Sequence, residues 1–534
     1  MDIMISVIVV AVIIIACVFA NKLTSKLGVP ALLAFLFLGM IFGSDGFFKI
    51  PFDDYGFTEQ ICTVALIFII FYGGFGTNWR EAKPVAVRSL FLSSVGVVLT
   101  AGLTGVFCHF VLNIDWMMSL LLGAVLSCTD ATSVFNILRS KKLGLKYGTA
   151  SMLELESGSN DPWAYMLTII LISLVKSGGE IDLWSVVYMV FAQVVYGVVI
   201  GVVIALLAVL ALKCIKFVGE QFDCLFLVAI ALLSYAVPYI LGGNGYLSVY
   251  IVGIILGNVK LKNKKGMVHF FDAITGLLQM LIFFILGLLS NPSQIPQILI
   301  PALFIFVFLT FIARPLATMG ILTVFRSKLK QQLLVSWAGL RGATSIVFAI
   351  LVIVSNTYIK NDFFNIVFCI VLLSVGIQGT LLPFFSKKLD MIDKDENVMK
   401  TFTDYSHESN VKFISVEIGL SHKWIGQKIK NITLPPQTRI VLIERGKERV
   451  IPVGKTILQS GDVLILSTTG VKTNSDVNLK EIEIDSKNKW CGKRLCEIKF
   501  DDCIVVLIKR GNISFVPAGQ TRLHENDTVV VIDE

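Results

Sequence analysis

Charge is what this 534-residue chain has least of: 16% of its residues are Asp, Glu, Lys or Arg, against about 25% in an ordinary soluble protein. Hydrophobic residues make up 55% of it, and mean hydropathy is +0.79. A soluble fold has no surface to match that balance, so a soluble enzyme, a secreted disulfide scaffold and a disordered chain are all excluded. The ten cysteines include no CxxC pair and sit mostly inside apolar runs. They read as reduced thiols packing as small hydrophobes, not as disulfides or zinc ligands. The five histidines (His109, His269, His407, His422 and His524) form no cluster with cysteines or carboxylates, so no resident metal site and no membrane enzyme is expected. The net charge of +8 sits mostly in short loops, which is no footprint for nucleic acid. The first 20 residues lack a basic start and a small-residue cleavage site; they read as a retained membrane helix.

What is present is a series of long apolar runs, from Ile3 to about Phe385. Thirteen segments can be drawn: 3–20, 29–43, 60–76, 89–112, 116–138, 147–173, 183–212, 224–241, 245–258, 267–290, 297–325, 331–356 and 363–386. A spanning helix needs about 20 residues; the second and ninth are short and carry glycines. The loops alternate in charge. One set holds twenty Lys and Arg, the other only Lys49, Lys176 and Lys360. Basic loops face the cytoplasm, which puts the N-terminus outside and the C-terminal part inside. The expected fold is an α-helical polytopic membrane protein of about thirteen helices, in residues 1–386, in the cell membrane.

Three charges lie deep in these segments. At about 1.5 Å of rise per residue, Asp161 and Asp130 are each about 21 Å from the face where their segments start, and Arg341 about 15 Å. The hydrocarbon core is about 30 Å thick, so all three sit near the midplane, where a charge costs at least ~2.5–3.5 kcal/mol on insertion scales. A charge at that depth marks an ion path or belongs to a buried pair. Arg341 and Glu156 balance each other and admit the second reading. No second basic residue is expected at the depth of Asp161.

The fifth segment reads Ser127-Cys128-Thr129-Asp130-Ala131-Thr132-Ser133, and the twelfth Trp337-Ala338-Gly339-Leu340-Arg341-Gly342-Ala343-Thr344-Ser345. Both stretches are poor in helix formers and centred mid-membrane. A helix broken there frees carbonyls for a cation and exposes half-helix ends with partial charge; the plainer alternative is a small-residue helix contact. If segments one to six repeat as eight to thirteen, the fifth maps onto the twelfth in inverted topology. In the sixth segment Ser157 lies four residues before Asp161, on the same face, and Pro162 frees a carbonyl near Gly158. One oxygen-rich site follows: Asp161, Ser157, the Thr129 carbonyl and Asp130. Such hard ligands suit an alkali cation or a proton and no soft metal.

Asn160-Asp161 preceded by Glu156-Ser157, Thr129-Asp130, and Gly339-Leu340-Arg341-Gly342-Ala343 together resemble the monovalent cation:proton antiporters of the NhaP/NHE type, over residues 1–386. The run from Glu156 to Pro162 is most similar to the potassium/proton branch. That resemblance implies a secondary antiporter and a homodimer. It implies Asp161 as carrier of proton and cation with Asn160 as its helper, Thr129, Asp130 and Ser157 completing the site, and an Arg341–Glu156 ion pair. One free carboxylate holds one proton or one monovalent ion, so electroneutral exchange is expected. Glu154, two turns below Asp161 on its face, either aids ion entry or is solvated.

After a polar linker, 387–410, the pattern becomes short and alternating. Trp424-Ile-Gly-Gln-Lys-Ile429 matches Trp490-Cys-Gly-Lys-Arg-Leu495, and Arg445-Gly446, Gly454, Thr456 and Asp462 match Arg510-Gly511, Gly519, Thr521 and Asp527. Two small α+β modules are predicted, 411–475 and 476–534, each a strand, a short helix (423–431; 490–498) and three strands. They resemble the RCK-C (TrkA C-terminal) module. No Gly-x-Gly-x-x-Gly follows a strand, so the nucleotide-binding half is missing and no NAD or other cofactor is expected. The resemblance implies either pairing alone or binding of cyclic di-AMP, with Arg439, Arg445 or Arg510 meeting phosphate beside strands Ile440–Ile443 and Ile504–Ile508. A regulatory tail also raises a second function: a potassium channel, or a ligand-gated cation transporter without proton exchange. A channel needs a carbonyl-lined filter such as Thr-Val-Gly-Tyr-Gly. The nearest run, Tyr72-Gly73-Gly74, lies inside an apolar segment.

Overall fold

The structure, a computed structural model, describes residues 11–393 and 411–533, except 21, 23, 25–29, 131–132, 135–136, 139–142, 179–181, 215–219, 262–263 and 356–361 and, in the C-terminal part, 420–421, 423, 433, 435–437, 447, 470–478, 485–487, 489, 499–502, 511–512, 516–518 and 526. Motif residues Ala131 and Thr132, and linker residues 394–410, lie outside the described residues. The chain divides into two compact units, Met1–His407 and Glu408–Glu534.

The first unit is helical: α1 (Ala11–Ala20), α2 (Ala31–Phe42), α3 (Tyr55–Gly76), α4 (Ala86–Leu112), α5 (Trp116–Val125), α6 (Thr149–Lys176), α7 (Leu183–Cys214), α8 (Glu220–Ile240), α9 (Gly245–Asn258), α10 (Lys264–Leu289), α11 (Ile295–Phe308), α12 (Arg314–Val324), α13 (Leu329–Trp337), α14 (Ala343–Val354), α15 (Asp362–Leu373) and α16 (Thr380–Lys388). Single π turns, Leu309–Ala313 and Ser374–Gly379, join α11 to α12 and α15 to α16. Seven described helical stretches are long and apolar enough to cross a membrane. Local chemistry sets the ends: Asp54 and Asp115 cap α3 and α5 by accepting from Phe57 and Met117. Asn113, left-handed at φ 51°, turns α4 into α5.

Two crossings depend on glycine. A Cβ on Gly39 of α2 would lie 2.1 Å from the Phe284 carbonyl of α10, and one on Gly74 of α3 would lie 2.6 Å from the Tyr250 carbonyl of α9. Exchanging segments one to six with eight to thirteen turns the α2–α10 crossing into the α9–α3 crossing, as the inverted repeat requires. Helix α7 joins this group, with Gly201 against Ser248 of α9. A second group forms around α6. Ser89 of α4 donates to the Met152 carbonyl, Gln331 of α13 donates to Thr149, and the rings of Phe107 (α4) and Phe308 (α11) stack 4.0 Å apart.

The second unit contains two four-stranded sheets of the same order. The first runs β3 (Val411–Glu417), β6 (Asp462–Thr469), β4 (Thr438–Arg445), β5 (Glu448–Val450); the second runs β7 (Leu479–Glu483), β10 (Asp527–Asp533), β8 (Cys503–Arg510), β9 (Ile513–Phe515). All neighbours are antiparallel. The expected short helices are reduced to single 3₁₀ turns, Ile429–Asn431 and Leu495–Glu497. Gly426 (φ 76°) and Gly492 (φ 79°) explain the loss: a left-handed residue cannot continue a right-handed helix. A further two-stranded pairing, β1 (Gly144–Leu145) with β2 (Ile392–Asp393), belongs to the helical unit.

Candidate ion site at the crossing of two broken helices

Both apolar segments suspected of breaking do break. Helix α5 stops at Val125, and Cys128–Asp130 are non-helical; α13 stops at Trp337, and Gly339–Gly342 separate it from α14. The two breaks touch: the Asp130 amide donates to the Leu340 carbonyl at 2.8 Å, and Cys128 Sγ and Ser345 Oγ lie 3.2 Å apart.

Each break carries a charge that serves the other. The Arg341 guanidinium, wholly buried, donates through Nη1 to the Cys128 carbonyl at 2.7 Å, where α5 ends and carbonyl partial charge is negative. The Asp130 carboxylate accepts from the Ser133 hydroxyl and rests on Gly342, where a Cβ would lie 2.3 Å from Oδ2. Gly342 is the N-cap of α14, whose N-terminus is the positive end of its dipole. Two opposite charges thus offset two opposite half-helix ends.

Asp161 comes to this crossing from α6. It is buried; Oδ2 accepts from Thr344 Oγ1 at 3.2 Å, in the first turn of α14. Oδ1 has no hydrogen-bond partner among the described residues. Beside it, Asn160 Nδ2 donates to Thr129 Oγ1 at 2.6 Å, and Thr129 and Ser157 share a hydroxyl hydrogen bond of 2.8 Å. The Asn160 side chain therefore ties the Asp161 helix to the first break. Asp161, Asn160, Ser157, Thr129 and Asp130 all lie at the crossing; Thr344 was not singled out in the sequence, although it is in the motif.

The expected Glu156–Arg341 pair is corrected. Glu156 pairs with Arg314, at the start of α12, and both side chains are buried. A second buried basic residue does therefore lie in the bundle, against the helix that carries Asp161. The sequence signal was available: Arg314 is eleven residues before Phe325, the end of its apolar segment, which is about 16 Å of helix. Its guanidinium crosses the second break at Gly339, where a Cβ would lie 2.7 Å from Nε. Glu154 is buried in the same helix.

In the tail, Arg445 and Arg510 each hold a buried aspartate of their own module. Arg445 makes two bonds to Asp462 (both 2.8 Å) and a third to the Ile457 carbonyl; Arg510 makes two to Asp527 (2.7 and 2.6 Å) and a third to the Arg522 carbonyl. These hydrogen bonds, chiefly from Arg445, hold the Asp462 carboxyl below its usual range. Burial raises the Asp527 carboxyl, yet its bonds from Arg510 and the His524 amide hold it below the usual range too. Ile443 and Ile508, expected to offer stacking surface, are fully buried in the module cores.

Comparison with known proteins agrees across both units. Residues 8–388 match the family described as sodium/hydrogen exchanger, transmembrane, and residues 413–471 and 479–532 each match the TrkA-C domain. The chain is 32% identical over 465 residues to the K(+)/H(+) antiporter NhaP of Alkalimonas amylolytica, covering 86% of this chain and 81% of that one. It is 31% identical over 451 residues to K(+)/H(+) antiporter NhaP2 of Shewanella oneidensis, covering 84% and 78%. The sodium proton antiporter MjNhaP1 of Methanocaldococcus jannaschii, solved at pH 8, superposes with a TM-score of 0.61 at 25% identity, covering 71% of this chain and all of that one.

Proposed function

The chain belongs to the sodium/hydrogen exchanger family, and we propose that it is a multi-pass membrane antiporter exchanging a monovalent cation, potassium before sodium, for a proton. The observation that carries this is the Asp161 carboxylate: buried at the meeting of two broken helices, with one oxygen held by Thr344 and the other free of hydrogen-bond partners among the described residues. A proton or a desolvated cation can occupy that oxygen in turn. Asn160, Thr129 and Ser157 fix the carboxylate's surroundings, with Asp130 at the edge of the site. Cyclic occupancy of one site by either ion, with access from alternate faces, is antiport.

Beside the buried Glu154 of α6, four other deep-lying charges offset one another. Glu156 faces Arg314, and Asp130 and Arg341 sit on opposite half-helix ends. Exchange through Asp161 alone is one for one and electroneutral. The alternating loop charge supports an outside N-terminus and a cytoplasmic C-terminus. The K(+)/H(+) names of the relatives favour potassium over sodium. Ion flux in proteoliposomes under imposed pH and K⁺ or Na⁺ gradients tests this reading. Cation uptake must drive proton release and the reverse; cation flux without proton movement would favour a channel or ligand-gated carrier.

The TrkA-C modules, residues 411–475 and 476–534, regulate this transport and do not perform it. The β1–β2 pairing supports a mechanical link: it joins the stretch just before α6 to Ile392–Asp393, inside the linker to the tail. Lys146 adds an amide bond to the Met391 carbonyl (2.9 Å) and an ammonium bond to Asp390 (3.1 Å), which holds the Asp390 carboxyl below its usual range. A shift of the linker therefore acts on the helix that carries Asp161. A homodimer in lipid bilayer is the proposed assembly. For cyclic di-AMP, the proposed tail ligand, Arg439 on β4 is exposed, whereas Arg445 and Arg510 are committed to Asp462 and Asp527. Calorimetry on the 411–534 fragment tests it; no heat leaves the tail as a pairing domain.

A further inference from the structure

Helix α6 is bonded into the group that contains both breaks, through Arg314, Gln331 and Ser89. In the other group, glycine approaches join α2 to α10 and both α3 and α7 to α9, and Phe71 and Tyr72 of α3 meet Phe271 and Asp272 of α10. A hydrogen bond between them lies beside the site. Asn244 Nδ2 donates to the Pro162 carbonyl at 2.8 Å, and Pro162 directly follows Asp161. Asn244 is 2% exposed and is fixed on the α9 side by everything else it does. Its amide donates to the Gln193 carbonyl of α7 at 3.1 Å, and its Oδ1 accepts from the Leu247 amide as the N-cap of α9. The side chain is therefore anchored in one group and reaches into the other.

We propose that Asn244 is a positioning residue, a latch that holds the Asp161 helix against α9 in the access state seen here. It rests on antiport by alternating access. If one group moves relative to the other, the Asn244–Pro162 bond is broken while the cap on Leu247 is kept, because both ends of the cap belong to α9. The amide is then left without the Pro162 acceptor, so the bond favours the present state by about one net hydrogen bond, roughly fivefold in population. A ligand binding the other state is weakened by the fraction of protein that is competent. Removing the latch must therefore change the two faces unequally.

Asn244→Ser separates the latch from the cap. Serine still accepts from Leu247 as a good N-cap but is too short to reach Pro162. Asn244→Ala loses both. The experiment compares wild type, Asn244→Ser and Asn244→Ala in proteoliposomes, with apparent K⁺ affinity measured from each face in turn and Tm measured alongside. The expected result is a Tm near wild type for Asn244→Ser and an affinity about fivefold tighter at one face, with no gain at the other. Asn244→Ala should shift affinity in the same way and also lower Tm. Unchanged affinities in Asn244→Ser, or equal shifts at both faces, would reduce Asn244 to a helix cap. If wild type itself shows no coupled exchange, it is the antiport reading that falls.

Discussion

Replacing Arg314 by Gln leaves the Glu156 carboxylate, 0% exposed, without its cation. Breaking a buried pair from one side typically costs about 3–5 kcal/mol, because the remaining charge is neither solvated nor paired. At about 1.4 kcal/mol per decade, that is two to four decades in the folding equilibrium. The environment of this pair argues for the upper part of the range: both side chains are buried, so bulk water does not reach the charge that remains. Glu156→Gln leaves Arg314 in the same position and should cost a similar amount. The double variant Glu156→Gln/Arg314→Gln holds two neutral amides and should recover about half or more of the summed loss. The assay is Tm of detergent-solubilised protein for wild type, both single variants and the double, completed by a second cycle with Arg341→Gln in place of Arg314→Gln. Coupling is expected in the first cycle, and near-additivity in the second, since Arg341 is held by the Cys128 carbonyl. Additive losses in the first cycle with strong coupling in the second would return Glu156 to Arg341 and refute the pairing.

Gly342→Ala forces a methyl group onto the Asp130 carboxylate at 2.3 Å; displacing it should cost about 1–3 kcal/mol and slow transport, read as a lower Tm and a lower flux. In the tail, the folded-state pKa of Asp462 is depressed, so its contribution is present above the unfolded value near 3.8 and is lost as pH falls through the folded value. Asp462→Asn should cost about 1.5–3 kcal/mol at pH 7, and its stability should vary less below pH 4. Circular dichroism of the 411–534 fragment across pH 2–7 checks both. Exchange should proceed at the same rate when the membrane potential is clamped at different values; a clear voltage dependence would bring Glu154 into the transport step.

The breaks in the fifth and twelfth segments were legible because glycine, serine and threonine replace helix formers at mid-depth, and because a charge stands in each. Asp161 was legible by depth alone. The partner of Glu156 was not. Choosing between Arg341 and Arg314 depends on how α6, α12 and the second break are rotated about their axes, and hydropathy averages a single arginine into an otherwise apolar run. The role of Asp130 was half visible: its depth is in the sequence, whereas its seat on Gly342 appears only once the two breaks are brought together. In the tail the repeat and its strands could be read from alternation. The short helices failed at Gly426 and Gly492, whose left-handed backbone is set by the turn and not by the apolar pattern around it.

Asp161 is the one carboxylate proposed to carry both ions. Its most direct test is flux in proteoliposomes containing Asp161→Asn, a substitution that keeps the shape of the side chain and removes its charge. The variant should fold with wild-type Tm or higher, since a buried charge has been removed, and should show no cation-coupled proton movement in either direction. Coupled K⁺ or Na⁺ exchange for protons persisting in that variant would contradict it.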